Sequence, residues 1–361
     1  MDRESIGAEA RSDHRFRPVR VTKRTALALA CALGALGLAL LALASLFGGA
    51  FQPLDSVAHF RAHLALAALV LAILAAVVGS TLLRLIALAA SLAAIVAGAT
   101  TGVYMVPVDD VSRLSFMNTA AGVAPAPIGS IPATASGIEL TLLQMNLRYD
   151  AVSEPALAAI RESGADIVTL EEVTPRWSQS LAAIADLYPH RFDCGLARPV
   201  GGMVILSRRP FADDLSICVP DDGFAARRIA LDEGRRLTIG AEHLKWPWPH
   251  DHWYQIAALE PVLARLPGPL VIGGDFNAAP WSAAVSRYAK ASDTRPVAGI
   301  GPTFLPSALP SWLKRFAGLS IDNVLVSEGV SVSEAKTLPA TGSDHLPVLI
   351  RLFIADLASK G

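Results

Sequence analysis

Charge is scarce in this chain of 361 residues: Asp, Glu, Lys and Arg make up 17%, against 52% aliphatic and aromatic residues. That balance is too apolar for a purely soluble enzyme of this length. Cysteine is scarcer, at three residues, and leaves few thiolates for structural zinc. A surplus of basic charge is also missing, since the formal net charge is −1. No internal repeat is visible, so the chain is not a solenoid or an array.

The apolar excess is concentrated in the first third. Residues Thr25 to Phe47 carry no charge, and Leu64 to Val106 run for 43 residues with Arg84 as the only charge. A helix needs about 20 apolar residues to cross the hydrocarbon core, so the first run is one span. As one helix the second would reach about 64 Å, roughly twice the core thickness, and must fold back. Gly79, Ser80 and Arg84 mark the reversal, which predicts helices near Leu64 to Leu83 and Leu85 to Val106. A cleaved signal peptide is the rival reading of the first run; its apolar stretch is longer than a usual leader's, and further spans follow. Arg11, Arg15, Arg17, Arg20, Lys23 and Arg24 precede it, which favours a cytoplasmic N-terminus. Three crossings then put the rest of the chain outside, in the periplasm if the membrane is a bacterial inner membrane.

The expected organisation is a basic tail at 1–24, about three transmembrane helices within 25–106, a Pro/Ala/Ser-rich linker at 107–137 and one domain at 138–361. Within that domain Leu140 to Met145, Ile167 to Leu170, Met203 to Leu206, Leu237 to Ala241, Leu270 to Ile272, Ile321 to Val326 and Leu346 to Leu352 read as strands. Helices fit Glu154 to Glu162, Trp177 to Leu187, Tyr254 to Leu266 and Ser282 to Ala289. Many strands and short connections indicate a sheet-on-sheet or α/β arrangement. Cys194 and Cys218 both fall in this domain, where they either bridge in an oxidising compartment or stay as two buried thiols.

Polar residues gather where the apolar runs end: Gln144-Met145-Asn146, Leu170-Glu171-Glu172, Gly273-Gly274-Asp275-Phe276-Asn277 and Gly342-Ser343-Asp344-His345, with His243 and Ser320-Ile321-Asp322-Asn323 besides. Taken singly, Asn146 and Asp275 could be turn formers and His243 a core histidine. Together the set is rich in carboxylates and amides and poor in thiolates and His-x-x-x-His spacing. It suits an oxygen-loving cation such as Mg²⁺ or Mn²⁺, and such cations go with phosphate.

The order Q-M-N, L-E-E, E-H-L, G-D-F-N, I-D-N and S-D-H resembles the endonuclease/exonuclease/phosphatase superfamily, which includes DNase I, abasic-site endonucleases, sphingomyelinases and inositol-phosphate phosphatases. The resemblance covers Ile138 to about Leu352. It implies an α/β (α+β) four-layer sandwich of two packed β-sheets flanked by helices, DNase I-like, here preceded by the transmembrane helices. It further implies that Asn146 and Glu172 help hold the metal, Glu172 as the direct carboxylate ligand, and that Asp344 joins them. Asp275 and Asn277 would position the attacking water and the phosphate. His345 would act on the reacting phosphoryl group, Asp322 would orient it, and His243 would contact the phosphate from the other side. The expected activity is hydrolysis of a phosphate mono- or diester carried by a small molecule, a lipid or a nucleic acid. The alternatives are a membrane-held nuclease, or a binding module that keeps the fold without the reaction.

The chain departs from the family at Glu171, where Gln is more usual; the extra carboxylate reads as a solvated neighbour or a second ligand. From Ile138 onward there are 21 Lys and Arg against 25 Asp and Glu, the reverse of the basic footprint of nucleic-acid binders. Residues 246–253 (WPWPHDHW) form either a substrate-side loop or a packed one. Arg208-Arg209 and Arg227-Arg228 are either phosphate partners or ordinary surface.

Overall fold

A computed structural model describes residues 22–105, 123–126, 128–129 and 136–355. The expected tail at 1–24 falls almost wholly outside the described residues, as do most of the linker at 107–137 and residues 356–361.

The first third is a helical bundle. Helix α1 (Lys23–Ala44) starts where the Thr22 hydroxyl accepts the N–H of Thr25 and continues into a 3₁₀ turn over Ser45–Phe47. A short α2 (Gln52–Ala58), begun by Pro53 in its first turn, was not expected. It is followed by α3 (Arg61–Val78) and α4 (Thr81–Met105). Three of the helices are long and apolar enough to cross a membrane. The reversal falls at Gly79-Ser80. Arg84 already lies inside α4, where its Nε donates to Ala76 O, and Leu83 belongs to α4 rather than α3. Alanines meet at the centre of the bundle, among them Ala32, Ala35, Ala68, Ala72, Ala90 and Ala94, while Leu33, Leu66, Leu85 and Leu92 point outward.

The remaining elements are β1 (Gly137–Asn146), α5 (Ser153–Ser163), β2 (Ile167–Val173), α6 (Pro175–Leu181), β3 (His190–Cys194), β4 (Gly202–Ser207), β5 (Phe211–Val219), β6 (Phe224–Ala230), β7 (Arg236–His243), α7 (His252–Leu263), β8 (Leu270–Asp275), α8 (Ala283–Ala291), β9 (Thr294–Pro296), α9 (Ser311–Ala317), β10 (Asp322–Ser327), β11 (Val330–Thr337) and β12 (Val348–Ala355). They form two six-stranded sheets, ordered β11-β12-β1-β2-β4-β3 and β5-β6-β7-β8-β10-β9. Each sheet has one parallel pair at its centre, β1 with β2 and β7 with β8.

Alternation along the strands builds the layers. In β1, Leu140 and Leu142 face the other sheet while Leu143 and Met145 face α5 and α6. In β8, Val271 faces inward and Leu270 and Ile272 pack on α7 and α8. Both faces of the central strands are covered, which is why they read as unbroken apolar runs. Each such side chain contributes about 1.5–3 kcal/mol relative to exposure. Helix α5 buries Ala156, Leu157 and Ile160 and stops at Gly164, whose φ of +63° closes the left-handed cap that residues with a side chain disfavour. The helix expected over Trp177 to Leu187 is shorter, ending as α6 at Leu181 and a 3₁₀ turn over Ala182–Ile184.

Cys194 on edge strand β3 and Cys218 on edge strand β5 are joined by a disulfide that clasps the two sheets. The described part of the expected linker is docked on the sandwich: Ala126 bridges to Val297 and Ile128 to Val332, both apolar side chains buried.

Candidate active site

The inward-facing stripe of each central strand starts apolar and turns polar at one end of the sandwich. Strand β1 runs Leu140, Leu142, Gln144, Asn146; β2 runs Ile167, Thr169, Glu171; β7 runs Ile239, Ala241, His243; β8 runs Val271, Gly273, Asp275. Parallel pairing brings Asn146 level with Glu171 and His243 level with Asp275. Strand β10 is antiparallel to β8, so its first residue, Asp322, lies beside Asp275, and His345 arrives from the loop just before β12. The sheets come close here: a Cβ on Gly273 would stand 3.0 Å from Thr169 Oγ1.

Three residues of this end hold left-handed backbone without being glycine, namely Arg148, Glu172 and Asn277, with φ of 55°, 58° and 46°. Such conformations cost free energy and persist where surrounding contacts enforce them. Two are side-chain-capped turns. Asn146 Oδ1 accepts the Arg148 N–H at 2.9 Å, and Asp275 Oδ1 accepts the Asn277 N–H at 2.8 Å. The third sits in a break of register between β2 and β4 that re-aims Glu172 into the cleft while Glu171 stays inside the sandwich.

The eight expected site residues are brought to this one end. Asn146 Nδ2 donates to Glu172 Oε1 at 3.1 Å and to Asp275 Oδ2 at 3.0 Å, and the Tyr149 N–H holds Glu172 Oε2 at 2.9 Å. Asp322 Oδ2 lies 2.8 Å from His345 Nδ1, and His345 Nε2 points to Asp275 Oδ2 at 3.7 Å. His243 Nε2 is 3.8 Å from Asp275 Oδ2 and 4.0 Å from Glu172 Oε1. Asn277 anchors its own amide on Leu244 O. Asp344 lines the same cleft as Glu172, Asp275 and His345. Asp275, Asp322 and His345 bring one potential ligand atom each within 4.8 Å of one another. His345 Nδ1 is engaged by Asp322, which makes this group an oriented histidine rather than a metal cage.

The charges fit that arrangement. Burial works against a charged His345, but Asp322 and Asp275 outweigh it and hold its pKa near about 10, so the ring carries its proton at neutral pH. Burial, reinforced by Asp322, pushes Asp275 up to about 6, although His345 and His243 pull it down. Burial lowers His243 despite the Asp275 charge.

Glu171 is neither solvated nor turned into the cleft. It is fully buried, Gln144 Nε2 donates to it at 2.9 Å and to Asp322 Oδ1 at 3.0 Å, and burial raises its pKa well above the carboxylate range. A neutral Glu171 can occupy this site much as an amide would. Gln144, quoted in the motif but given no role, thus links the two sheets behind His345.

A cleft of about 270 Å³ opens over these groups, walled by Arg148, Tyr149, Trp246, Phe304 and Ser307. Of these five only Trp246 was singled out, as the start of the 246–253 segment; among the other four Arg148, two residues beyond Asn146 at a strand end, had the clearest signal. Phe304 sets its edge against His345, ring centroids 5.3 Å apart. Trp246 places the start of the 246–253 segment on the cleft rim. The arginine pairs lie elsewhere: Arg209 pairs with Asp232 and Arg228 with Asp214, while Arg208 covers Tyr188 and Arg227 covers Phe192 and Phe211.

The Endonuclease/Exonuclease/phosphatase family matches residues 143–345, more than half of the chain. None of the curated proteins matches it. Among solved structures it is similar to an endonuclease/exonuclease/phosphatase from Beutenbergia cavernae (20% identity, 60% of this chain and 72% of that one, TM-score 0.46). It is also similar to a sphingomyelinase C from Streptomyces griseocarneus (17% identity, 59% and 99%, TM-score 0.44). A third is an endonuclease/exonuclease/phosphatase from Bacteroides vulgatus (17% identity, 60% and 98%, TM-score 0.49).

Proposed function

The chain belongs to the Endonuclease/Exonuclease/phosphatase family, and from that premise we propose that it is a membrane-anchored, divalent-metal-dependent phosphoesterase that cleaves a phosphate mono- or diester with an activated water. The observation that carries the proposal is the Asp322–His345–Asp275 constellation facing Asn146, Glu172 and His243 across one cleft.

The donors suit a hard cation. Glu172 and Asp344 offer carboxylate oxygens, and with Asp275 and Asp322 they make an excess of negative charge at the cleft floor. Asn146 has its Nδ2 between two carboxylates, so its part is to space Glu172 and Asp275 as much as to offer oxygen. Mg²⁺ or Mn²⁺ held here would act as a Lewis acid on a phosphoryl oxygen.

The remaining roles fall to the chain. Asp275 Oδ2, fixed by Asn146 and close to titrating, is the atom to orient the water and receive its proton. His345, kept protonated by Asp322, presents Nε2–H to the charge that grows on the phosphoryl oxygens. His243, with its pKa lowered, donates or accepts a neutral hydrogen bond on the opposite side. Asn277 holds the turn that aims Asp275.

We place the catalytic domain outside the cytoplasm, in the periplasm if the membrane is a bacterial inner membrane. The basic segment before α1, three spans and the Cys194–Cys218 disulfide support that side. The acidic balance after Ile138 favours a small or lipid-borne ester over nucleic acid.

The test is turnover of p-nitrophenyl phosphate, bis-p-nitrophenyl phosphate, plasmid DNA and a phospholipid by the full chain in mild detergent, with Mg²⁺ or EDTA. Metal-dependent turnover should fall by about 10²–10⁴ in Asp275→Ala and His345→Ala. Turnover indifferent to EDTA, or unchanged in both variants, refutes the reading.

A further inference from the structure

The segment whose Trp246 lines the cleft and helix α9, whose Lys314 lines an adjoining pocket with Arg148, Ser307 and Asp344, are both tied to the same end of the helical bundle. On one side, Trp248 O accepts a hydrogen bond from Ser56 Oγ of α2 at 3.2 Å. On the other, the Phe316 carbonyl of α9 meets His63 Nε2, in the first turn of α3, at 2.9 Å. Between them the sandwich is clamped to that end. Trp281 Nε1 donates to Ala58 O at 2.7 Å, and Asp55 accepts the N–H groups of Ala283 and Ala284 at 2.7 and 3.0 Å. The sandwich is therefore held, next to the site, by the segment that joins the first two spans and by the start of α3.

Both the Trp246 segment and α9 also carry large aromatic side chains that no described residue covers. Trp246 and Trp248 are 59% and 51% exposed in the one segment, and Trp312 and Phe316 are 71% and 74% exposed on α9. Phe47, Phe51 and Phe60 are exposed on the joining segment itself. Left in water, each aromatic forgoes about 1.5–3 kcal/mol of burial. Trp and its relatives are stable where an apolar bilayer meets its headgroups. Trp248 and Phe316 lie next to Ser56 and His63, where the apolar helices end, and Phe47, Phe51 and Phe60 belong to that junction. Cations lie nearby: Arg148, paired with Asp150, lines the cleft, and Lys245 and Lys314 line the two adjoining pockets.

We propose that the cleft is apposed to the outer face of the membrane and takes a membrane-borne phosphate ester, an amphiphile whose hydrocarbon part stays in the bilayer, against which Trp248, Trp312 and Phe316 rest, while its phosphate enters the cleft past Trp246. The proposal rests on the phosphoesterase reading above and names its substrate class.

The experiment uses the full chain in phosphatidylcholine nanodiscs with Mg²⁺. It compares dioleoyl phosphatidic acid and dioleoyl phosphatidylglycerol, a monoester and a diester, with their water-soluble dibutyryl forms. The long-chain form should be cleaved at least about tenfold better in kcat/KM, because remote parts of a substrate supply binding energy to the reacting centre. The double variant Trp312→Ser, Phe316→Ser should lose that preference and leave dibutyryl cleavage unchanged. In parallel, brominated phosphatidylcholine should quench tryptophan emission, and the quenching should diminish in Trp248→Phe, Trp312→Phe. Equal cleavage of long and short forms, a preference that survives the double variant, or cleavage of plasmid DNA or p-nitrophenyl esters alone overturns the proposal and leaves the phosphoesterase reading standing. Soluble-ester turnover without bromolipid quenching does the same. Quenching with no turnover of any ester overturns the phosphoesterase reading, and this proposal with it.

Discussion

The helical bundle and the sandwich are built inside out relative to each other. The sandwich buries its large apolar side chains, such as Ile205, Ile239, Val324 and Leu352, between the sheets. The bundle buries alanine and turns Leu66, Ile73, Leu85 and Leu92 outward. In water the hydrophobic effect drives large side chains inward. Where the surroundings are as apolar as leucine that drive vanishes, and helices associate through small residues that let their backbones approach. One chain thus carries two packing rules, and that of the bundle is the one that suits helices long and apolar enough to cross a membrane.

The contrast can be broken most sharply by truncation. Ile205→Ala should cost about 2–5 kcal/mol in the sandwich, whereas Leu66→Ala on the bundle exterior should change the unfolding free energy in nanodiscs by less than about 0.5 kcal/mol. Equal losses would mean that the bundle exterior is packed against protein. The next effect is that of the clasp. Cys194→Ser with Cys218→Ser should lower stability by about 2–4 kcal/mol without removing the site, because the bridge ties two edge strands that contribute none of the site residues. Denaturant unfolding would measure this, and a loss of metal-dependent turnover in still-folded protein would contradict it.

The smallest effect lies at the junction of the two regions. His59 and His252 are buried there, and burial lowers their pKa values to about 4 and about 3, below the ordinary 6.5. The opened junction then binds protons more readily than the closed one. Its stability should be complete above about pH 6.5 and decline as the pH falls toward 4, with Asp55, whose pKa burial raises, opposing part of the loss at the acid end. Among the described residues neither ring nitrogen of His252 has a hydrogen-bond partner, so His252→Phe should flatten the pH dependence of thermal unfolding. A slope unchanged by that substitution would remove the histidine from the account.

Much of the fold was legible where burial is two-sided. Strands β1, β2, β4, β7, β8, β10 and β12 are continuous apolar runs because helices or the other sheet cover both faces. The strands that escaped notice are mostly edges. Strands β3, β5, β9 and β11 border the sheets, and β5 and β11 are broken by shifts of register. One covered face leaves half the residues polar, and a bulge interrupts their alternation. Strand β6 was hidden by Arg227 and Arg228, which satisfy themselves on Asp214 and on the rings of Phe192 and Phe211. At the site, the motifs named the residues at strand ends. They could not reveal that Asn146 bridges two carboxylates, that Glu171 turns inward while Glu172 turns out, or that Arg148 and Phe304 wall the cleft.

By itself the sequence determined the three apolar helices, the strand cores and the identity of the polar groups that end them, because hydrophobic length and two-residue alternation are properties of a few consecutive residues. Tertiary structure alone decided which ends meet, which carboxylate is buried, which cysteines pair and that the sandwich is tied to the bundle. Those outcomes depend on two sheets closing over each other and on contacts such as Trp281 with Ala58, 223 residues apart, and no local pattern carries that information.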